Sequence, residues 1–336
     1  MSAQDQARFQ RRKFRELLQR QRLTVMPGGF SPLYARLAQA AGFECFFLAG
    51  SQLSAFLYGF PDNGIIGLRD LVDHARHMAA RCDIPILIDA DTGFGNAVNV
   101  HFTVQECVRS GVAGLQIEDQ EAPKKSGTLA GRRCISLDEA VGKYRAAVAA
   151  RNEIDPEFVI CARCDALGAE GGSFADAMRR CIAYAEEGGV DLIWLNSVQT
   201  REQLRRVCRE LPVPVLTVWA GAESTPTLEE YEALGLRIVL YPTMTSSAGL
   251  EAAWQLLNEL RDKGNGALAE WSAAIARSPW GRVNRRELLD NSKIQELEER
   301  YLPKSARRDY VTTWGHRTAS TPDANPPLPD PEETSS

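Results

Sequence analysis

No apolar run in this 336-residue sequence approaches the roughly 20 residues that a membrane-spanning helix needs. The first residues are polar, unlike those of a secretory signal peptide. Basic residues are not in excess either, because 39 Lys and Arg stand against 44 Asp and Glu and the net charge is -5. These absences argue against a membrane protein and against nucleic acid or an anionic membrane as a partner.

Cysteine is scattered rather than clustered. The eight cysteines are spread along the chain and form no dense disulfide framework, which favours reduced thiols and a cytoplasmic location. Cys161 and Cys164 have the spacing of a zinc or redox pair, but no second Cys or His pair follows them. The start of the chain is rich in basic side chains, which we interpret as a solvated helix face: Arg8, Arg11, Arg12, Lys13, Arg15, Arg20 and Arg22.

Short apolar, β-branched runs alternate with amphipathic stretches along most of the chain. The predicted strands are 23–26, 45–48, 84–88, 114–117, 158–162, 192–195, 213–218 and 237–241. Strict alternation predicts parallel strands with right-handed crossovers, and eight such units favour an α/β fold of the closed (β/α)8 TIM-barrel type over an open sheet. We predict an N-terminal helix over 1–22, the barrel over 23–263, a helical extension over 264–304 and a largely disordered tail over 305–336.

Acidic side chains lie where two predicted strands end. Asp89 and Asp91 follow the third apolar run, and residues two apart on a strand point the same way. Glu118 ends the next run and Arg163 the one after it. One Asp after a strand is often only a helix N-cap, but two like charges on one face repel unless a cation lies between them. The pattern predicts a magnesium ion that holds an anionic substrate at the mouth of the barrel.

Further motifs follow one another at specific spacing. They are Gly42-Phe43, Gly50-Ser51, Gly59-Phe60-Pro61-Asp62, Asp89-Ala90-Asp91-Thr92-Gly93-Phe94-Gly95-Asn96, Ile117-Glu118-Asp119-Gln120, Pro123-Lys124-Lys125, Ala162-Arg163 followed by Asp165, and Asn291-Ser292-Lys293-Ile294. Together they resemble the isocitrate lyase and phosphoenolpyruvate mutase superfamily. The resemblance implies a (β/α)8 barrel with a C-terminal helix exchanged between subunits. It hence implies a homo-oligomer built from exchanging pairs, either a dimer or a homotetramer formed as a dimer of helix-exchanging dimers.

The resemblance also implies roles for the acids. Asp89 would bind Mg2+ directly, with Mn2+ as the alternative ion, while Asp91 and Glu118 would hold its water ligands. Magnesium commonly keeps several waters and takes only one or two carboxylates. A substrate carboxylate would be gripped by Gly50 and Ser51 and by the guanidinium of Arg163.

Departures from the superfamily pattern bear on the reaction. The lyases carry a Cys-Gly-His sequence on a mobile loop, where the thiol protonates an enolate, but this chain has Ser126, Gly127 and Thr128 there. The catalytic candidates are therefore Arg163, Lys124, Lys125, Ser126 and, by the resemblance, Asp62. The lyases usually have Glu where this chain has Asn196, and the decarboxylases have His where it has Thr243. We expect Asn196 and Thr243 to contact the substrate.

Loss of the thiol and the imidazole favours a reaction that needs neither. Decarboxylation of a 2-oxo diacid such as oxaloacetate requires only stabilisation of the enolate, since water can deliver the proton. We therefore predict a Mg2+-dependent carbon–carbon lyase that acts on a small carboxylic acid through an enolpyruvate-type intermediate. The alternatives are retro-aldol cleavage of a methylisocitrate- or dimethylmalate-like acid, phosphorus–carbon chemistry on phosphonopyruvate or carboxyphosphonoenolpyruvate, and a non-catalytic binding protein.

Overall fold

Eight parallel strands close into a barrel in the computed structural model, which describes residues 2–221, 223–277 and 288–310. Each strand pairs with its neighbours in sequence, and β8 pairs with β1 to close the ring. The strands are β1 (Thr24–Gly29), β2 (Phe46–Leu48), β3 (Ile86–Asp89), β4 (Gly114–Glu118), β5 (Val159–Cys164), β6 (Leu192–Leu195), β7 (Val215–Thr217) and β8 (Ile238–Tyr241). The predicted (β/α)8 TIM barrel is confirmed, and each predicted strand overlaps an observed one.

Helices separate the strands and surround the barrel. They are α1 (Ala3–Gln19), α2 (Pro32–Ala40), α3 (Gly50–Leu53), α4 (Leu68–Ala79), α5 (Ala97–Ser110), α6 (Leu137–Ile154), α7 (Phe174–Glu186), α8 (Arg201–Glu210), α9 (Leu228–Ala233), α10 (Met244–Lys263) and α11 (Asn265–Arg277). Many begin at a side-chain cap, such as Ser136 for α6 and Thr200 for α8, as expected for residues that satisfy the first backbone N–H groups. None of the described helices combines the length and the apolar character that crossing a membrane requires.

Apolar side chains form two layers. One fills the inside of the barrel, where Phe47, Leu87, Trp194 and Leu216 meet. The other lies between the strands and the surrounding helices. Phe14 and its neighbours on α1 join the inner layer, so α1 closes the end of the barrel at which the strands begin. This leaves the opposite end, where the strands finish, as the place for loops and polar groups.

The interpretation of the N-terminal basic residues as a solvated helix face is wrong for three of them. Arg11 is buried, donates to the carbonyl oxygens of Val108 and Val112 and lies 2.6 Å from Asp155 Oδ2. Arg15 donates to three consecutive backbone carbonyls between residues 156 and 158. Arg20 pairs with Glu44. These side chains fasten α1 to the barrel, whereas Arg8 and Arg12 are exposed, as expected.

The chain divides into two units, 1–278 and 279–336. In the second unit the structure describes helix α12 (Asn291–Tyr301), which lies within the predicted helical extension, and a 3-10 turn (Lys304–Ala306), which continues into the predicted tail. Residues 278–287 of that extension, and the predicted tail from residue 311 onward, lie outside the described residues. Exchange of a helix between subunits stays a prediction.

Candidate active site

The ends of β3 and β4 carry the three predicted metal ligands. Asp89 is the last residue of β3, and its two carboxylate oxygens accept hydrogen bonds from the backbone N–H groups of Gly50 (3.2 Å) and Asp91 (3.0 Å). The next helix, α5, is capped by Asn96, so neither Asp89 nor Asp91 has the capping role. The backbone of Asp91 is left-handed (φ 56°), a costly conformation for a residue with a side chain and one that clusters at functional sites.

Glu118 ends β4 and lies beside Arg163 of β5 in the register of the barrel. Arg163 Nη1 is 3.1 Å from Glu118 Oε2, and both side chains are buried. The guanidinium lies over the indole of Trp194, 4.6 Å from the ring centroid. Burial raises the pKa of Glu118 well above its ordinary value, although Arg163 acts in the opposite direction. Additional positive charge near Glu118 would therefore stabilise its ionised form.

Arg163 is also held by Asp165, two residues further along the chain. Arg163 Nη2 donates to Asp165 Oδ1 over 3.0 Å, and Arg163 Nε lies within ion-pair distance of Asp165 Oδ2, at 2.9 Å. In the structure the guanidinium fork thus contacts a protein carboxylate, so its grip on a substrate carboxylate stays a prediction. Asp165 is part of the motif that follows Ala162-Arg163, but the motif alone predicts no function for it.

Arg132 completes this network, although no sequence pattern predicts a role for it. Its Nη1 lies 2.7 Å from Asp165 Oδ1, and its Nη2 donates to Ser197 Oγ over 3.0 Å. Burial would raise the pKa of Asp165, but Arg163 and Arg132 hold it below its ordinary value. The local sequence does not indicate that Arg132 belongs to the site, since its partners lie 33 and 65 residues further along the chain.

Lys124 lies within the group of acids rather than in solvent. Its Nζ is 2.5 Å from Asp62 Oδ1 and 3.4 Å from Asp91 Oδ1, and its side chain is 3% exposed. Burial would lower the pKa of Lys124, but Glu118 and Asp91 raise it above its ordinary value. Burial raises the pKa of Asp91 to about 6, while Lys124 opposes that rise. The structure therefore brings Lys124 and Asp62 together with the predicted metal ligands.

Residues 124–129, here called the mouth loop, contain the other two catalytic candidates. The backbone N–H and carbonyl of Lys125 are both hydrogen-bonded to the side-chain amide of Gln120 (3.0 Å each). Ser126 Oγ lies 3.3 Å from Thr128 Oγ1. The contacts of Lys125 and Ser126 are thus with residues close in the chain, unlike those of Lys124.

The remaining predicted substrate contacts lie on other loops at the same end of the barrel. Asn196 follows β6 and contacts both the mouth loop and Asp165. Thr243 precedes α10. The hydroxyl of Ser246 lies 3.1 Å from the Thr243 carbonyl oxygen and 2.6 Å from Gln52 Oε1, and Gln52 is next to Ser51 in the chain. Substrate binding by Ser51, Asn196 and Thr243 stays a prediction.

The donor set fits a water-rich magnesium site rather than a closed cage of protein ligands. Among the described residues, no three acidic, histidine or cysteine groups converge as direct ligands of one ion. Five carboxyl groups and three cationic side chains nevertheless meet here, giving a formal charge of -2 when all are ionised. They are Asp62, Asp89, Asp91, Glu118, Asp165, Lys124, Arg132 and Arg163. That balance suits a divalent ion bound through one carboxylate and several waters.

Comparison with known proteins identifies the family of this chain. The sequence model of a family described as phosphoenolpyruvate phosphomutase matches residues 14–261. The chain belongs to the phosphoenolpyruvate mutase and isocitrate lyase superfamily. It is 35% identical to a 2,3-dimethylmalate lyase of Eubacterium barkeri, over 86% of this chain and 97% of that one. It is 38% identical to a 2-methylisocitrate lyase of Aeropyrum pernix, over 74% and 79%.

Solved structures of the superfamily have the same fold. An oxaloacetate acetylhydrolase with the inhibitor 3,3-difluorooxalacetate has a TM-score of 0.78 and 31% identity, covering 90% of this chain and 99% of its own. A phosphonopyruvate hydrolase in complex with oxalate and Mg++ has a TM-score of 0.76 and 32% identity, covering 88% and 99%. The predicted superfamily and the predicted assignment to its carbon–carbon lyases are both confirmed. The substrate is a separate question.

Proposed function

We propose that this enzyme is a Mg2+-dependent decarboxylase of oxaloacetate or a related 2-oxo diacid. One observation carries the proposal: fixed positive and negative groups meet at the mouth of the barrel, while the mouth loop has Ser126, Gly127 and Thr128 where a lyase would carry a thiol and an imidazole. Such a site can stabilise charge on a reacting oxygen, but it lacks the usual proton donor.

Each side chain of the site has a distinct role in this proposal. Asp89 would hold Mg2+, with Asp91 and Glu118 on its waters. When bound, Mg2+ supplies positive charge at the oxygen on which the enolate forms. Arg163 lies beside Glu118 at 3.1 Å and adds a fixed positive charge to the same region. The carbon–carbon bond breaks as CO2 leaves, the electron pair remains on the enolate, and a proton from water completes pyruvate.

Lys124 acts as a fixed charge rather than as an acid in this reaction. Its pKa lies above the ordinary value because Glu118 and Asp91 outweigh the effect of burial, so it releases its proton poorly near neutral pH. Its ammonium is held by Asp62 at 2.5 Å. Lys124 can therefore stabilise a bound dianion without taking part in proton transfer.

Retro-aldol cleavage of a methylated hydroxy diacid is the second candidate. The identity of 35% over 86% of the chain to a dimethylmalate lyase favours it. Against it stands the need for a base at the hydroxyl and an acid at the departing enolate. Neither Ser126 nor Thr128 is an adequate acid without an activating partner, and their hydroxyls lie 3.3 Å from each other.

Product analysis separates the candidates. Purified enzyme with Mg2+ is incubated with oxaloacetate, 2-methylisocitrate, 2,3-dimethylmalate and phosphonopyruvate, and the products are followed by NMR beside an Asp89→Asn variant and a chelated sample. We expect pyruvate and CO2 from oxaloacetate, lost in both controls. An oxo acid released from a hydroxy diacid would establish retro-aldol cleavage instead, and inorganic phosphate from phosphonopyruvate would establish phosphorus–carbon chemistry. Binding of these acids without turnover would contradict any enzymatic reading.

The proposal includes a homo-oligomer. The helices after β8 expose large apolar side chains, with Trp254 and Leu257 of α10 each more than 60% exposed and Trp271 of α11 42% exposed. Large exposed apolar surfaces on helices are typical of subunit contacts. Sedimentation equilibrium should give the mass of a tetramer, and a Trp254→Glu substitution should shift it toward smaller species. A monomeric wild type at micromolar concentration would contradict this part of the proposal.

A further inference from the structure

The side-chain amide of Asn196 joins two parts of the site. Its Nδ2 donates to the carbonyl oxygen of Gly127 in the mouth loop over 3.1 Å and to Asp165 Oδ1 over 2.7 Å. The residue is 7% exposed. An amide nitrogen has two hydrogens, so both are engaged within the protein. Asn196 therefore has no N–H donor left for a substrate in this state of the loop.

Only a donor suits this position. With the amide rotated, Asn196 Oδ1 would face a carbonyl oxygen and a carboxylate, both of which are acceptors. A carboxylate at position 196 would meet the same two acceptors and would add like charge close to Asp165. The pKa of Asp165 lies below its ordinary value because Arg163 and Arg132 outweigh the effect of burial, so Asp165 is ionised and the repulsion would be real.

The residues that follow β6 on one side of this contact are held by further hydrogen bonds, and the other side belongs to the mouth loop. The backbone N–H of Asn196 donates to Cys164 O over 3.0 Å, and the next residue, Ser197, is held by Arg132. On the loop side, Gly127 packs directly on the guanidinium of Arg163. A Cβ at Gly127 would lie 2.1 Å from Arg163 Nη2 and 3.0 Å from Asn196 Nδ2.

We propose that Asn196 is a positioning residue that fastens the mouth loop over Arg163 through the two hydrogens of its amide. Closure of the loop then depends on the same carboxylate, Asp165, that orients Arg163. A displaced loop would carry Lys124 away from Asp62 and Asp91, so the link extends from Asn196 to the acids of the proposed metal site. Asn196 acts through the loop and is not itself a catalytic residue. The inference goes beyond the proposed function and holds for any reaction at this site.

Limited trypsin digestion of the full-length enzyme tests the inference. The bond after Lys125 lies in the mouth loop, and the backbone of Lys125 is pinned to Gln120, so cleavage there requires the loop to open. The variants are Asn196→Asp, Asn196→Ala and the control Asn152→Asp, an exposed residue at the end of α6. Mass spectrometry gives the rate of appearance of fragment 1–125, and circular dichroism checks the fold.

We expect cleavage after Lys125 to be fastest in Asn196→Asp, at least about tenfold faster than in wild type, because that variant loses both bonds and gains repulsion. Asn196→Ala should be intermediate, at roughly three- to tenfold, because it loses only the bonds. Asn152→Asp should match wild type. A role in packing alone would reverse the order, since Asp has nearly the shape of Asn and Ala leaves a cavity.

Two results would overturn the inference. One is a rate in Asn196→Asp equal to that of wild type, and the other is faster cleavage in Asn196→Ala than in Asn196→Asp. If Asn196→Asp fails to fold, Asn196→Ala alone decides, since a folded Ala variant with a wild-type rate removes the proposed link. The digestion contains neither substrate nor metal, so its outcome is independent of whether oxaloacetate is decarboxylated.

Discussion

Two buried arginines at opposite ends of the barrel show how differently those ends are built. Arg11 lies at the closed end, where it meets one carboxylate, Asp155, and the backbone carbonyls of Val108 and Val112. Arg163 lies at the open end between two carboxylates, Asp165 and Glu118. Burial lowers the pKa of Arg11, whereas the two acids raise the pKa of Arg163 despite its burial.

This difference indicates that the closed end contributes to stability, whereas the open end carries the candidate active site. At the closed end buried Arg11 and buried Asp155 offset each other, exposed Arg8 lies 3.7 Å from the same carboxylate, and backbone carbonyls accept from other N–H groups of Arg11. At the open end the acids outnumber the cationic groups. The site therefore has a net negative charge that a bound cation can offset. This matches the general division in which one face of such barrels stabilises the fold and the other carries the active site. Four substitutions test the comparison.

Replacing Asp89 by Asn should have the largest effect on catalysis. We expect kcat/KM to fall about 10³-fold, because the variant loses the negative charge that would hold Mg2+ beside the reacting oxygen. The urea midpoint should hardly change, since removing one of two neighbouring negative charges offsets the weakened bonds from Gly50 and Asp91. Steady-state kinetics and urea unfolding provide both values. Loss of folding together with activity would show that Asp89 belongs to the stabilising part of the molecule.

Replacing Arg11 by Met should have the opposite profile. The free energy of unfolding should fall by about 3 kcal/mol, because Asp155 loses its buried partner and keeps only exposed Arg8, 3.7 Å away. The kcat/KM of the folded fraction should stay at the wild-type value. The double variant with Asp155→Asn should regain part of the lost stability, and urea unfolding measures all three proteins. A change under about 1 kcal/mol would mean that the ion pair does not fasten α1 as proposed.

Gly127→Ala should disturb only the open end. Its Cβ would overlap the guanidinium of Arg163, which two acids hold in place, so we expect the mouth loop to shift and kcat/KM to fall roughly tenfold. Gly142→Ala is the matched control, because nothing lies within 4 Å of a Cβ at this position in α6. The control should keep full activity and gain about 0.5–1 kcal/mol of stability. Equal activities in the two variants would refute the close packing of loop on guanidinium.

Arg133→Ala should have the smallest effect. Arg133 is next to Arg132 in the chain, but its side chain is exposed and pairs with exposed Glu170. Exposed ion pairs contribute little because water and salt screen them. Neither kcat/KM nor the urea midpoint should change measurably. A large effect would show that an exposed arginine of this protein can matter for activity or stability as much as a buried one.

The sequence predicts the barrel well because buried parallel strands are nearly continuous apolar runs. The strand over Leu192–Leu195 was predicted with its observed bounds. Asp89, Asp91, Glu118 and Arg163 were predicted as neighbours because parallel strands bring their carboxyl ends to one edge.

What the sequence did not reveal depends on distant partners. Arg11 lies on the same face of α1 as buried Ala7 and Phe14, but its partners include backbone carbonyls 97 and 101 residues away. Helical periodicity does not contain that information, since it reports a face of the helix and not what covers it. Arg132 was missed for the same reason. Asp62 entered the candidate site only through family resemblance, because a turn sequence alone is typical of many loops.

The stack of Arg163 on Trp194 has a consequence for how substrates are chosen. Trp194 is itself in edge contact with Phe47 inside the barrel. The planar guanidinium therefore stacks on an indole whose position is fixed by packing. Its orientation is set before any ligand arrives, so in the proposed reaction little reorganisation energy is needed when the anionic substrate binds. New specificities can then arise through substitutions around Thr243, while the stacked guanidinium keeps its orientation.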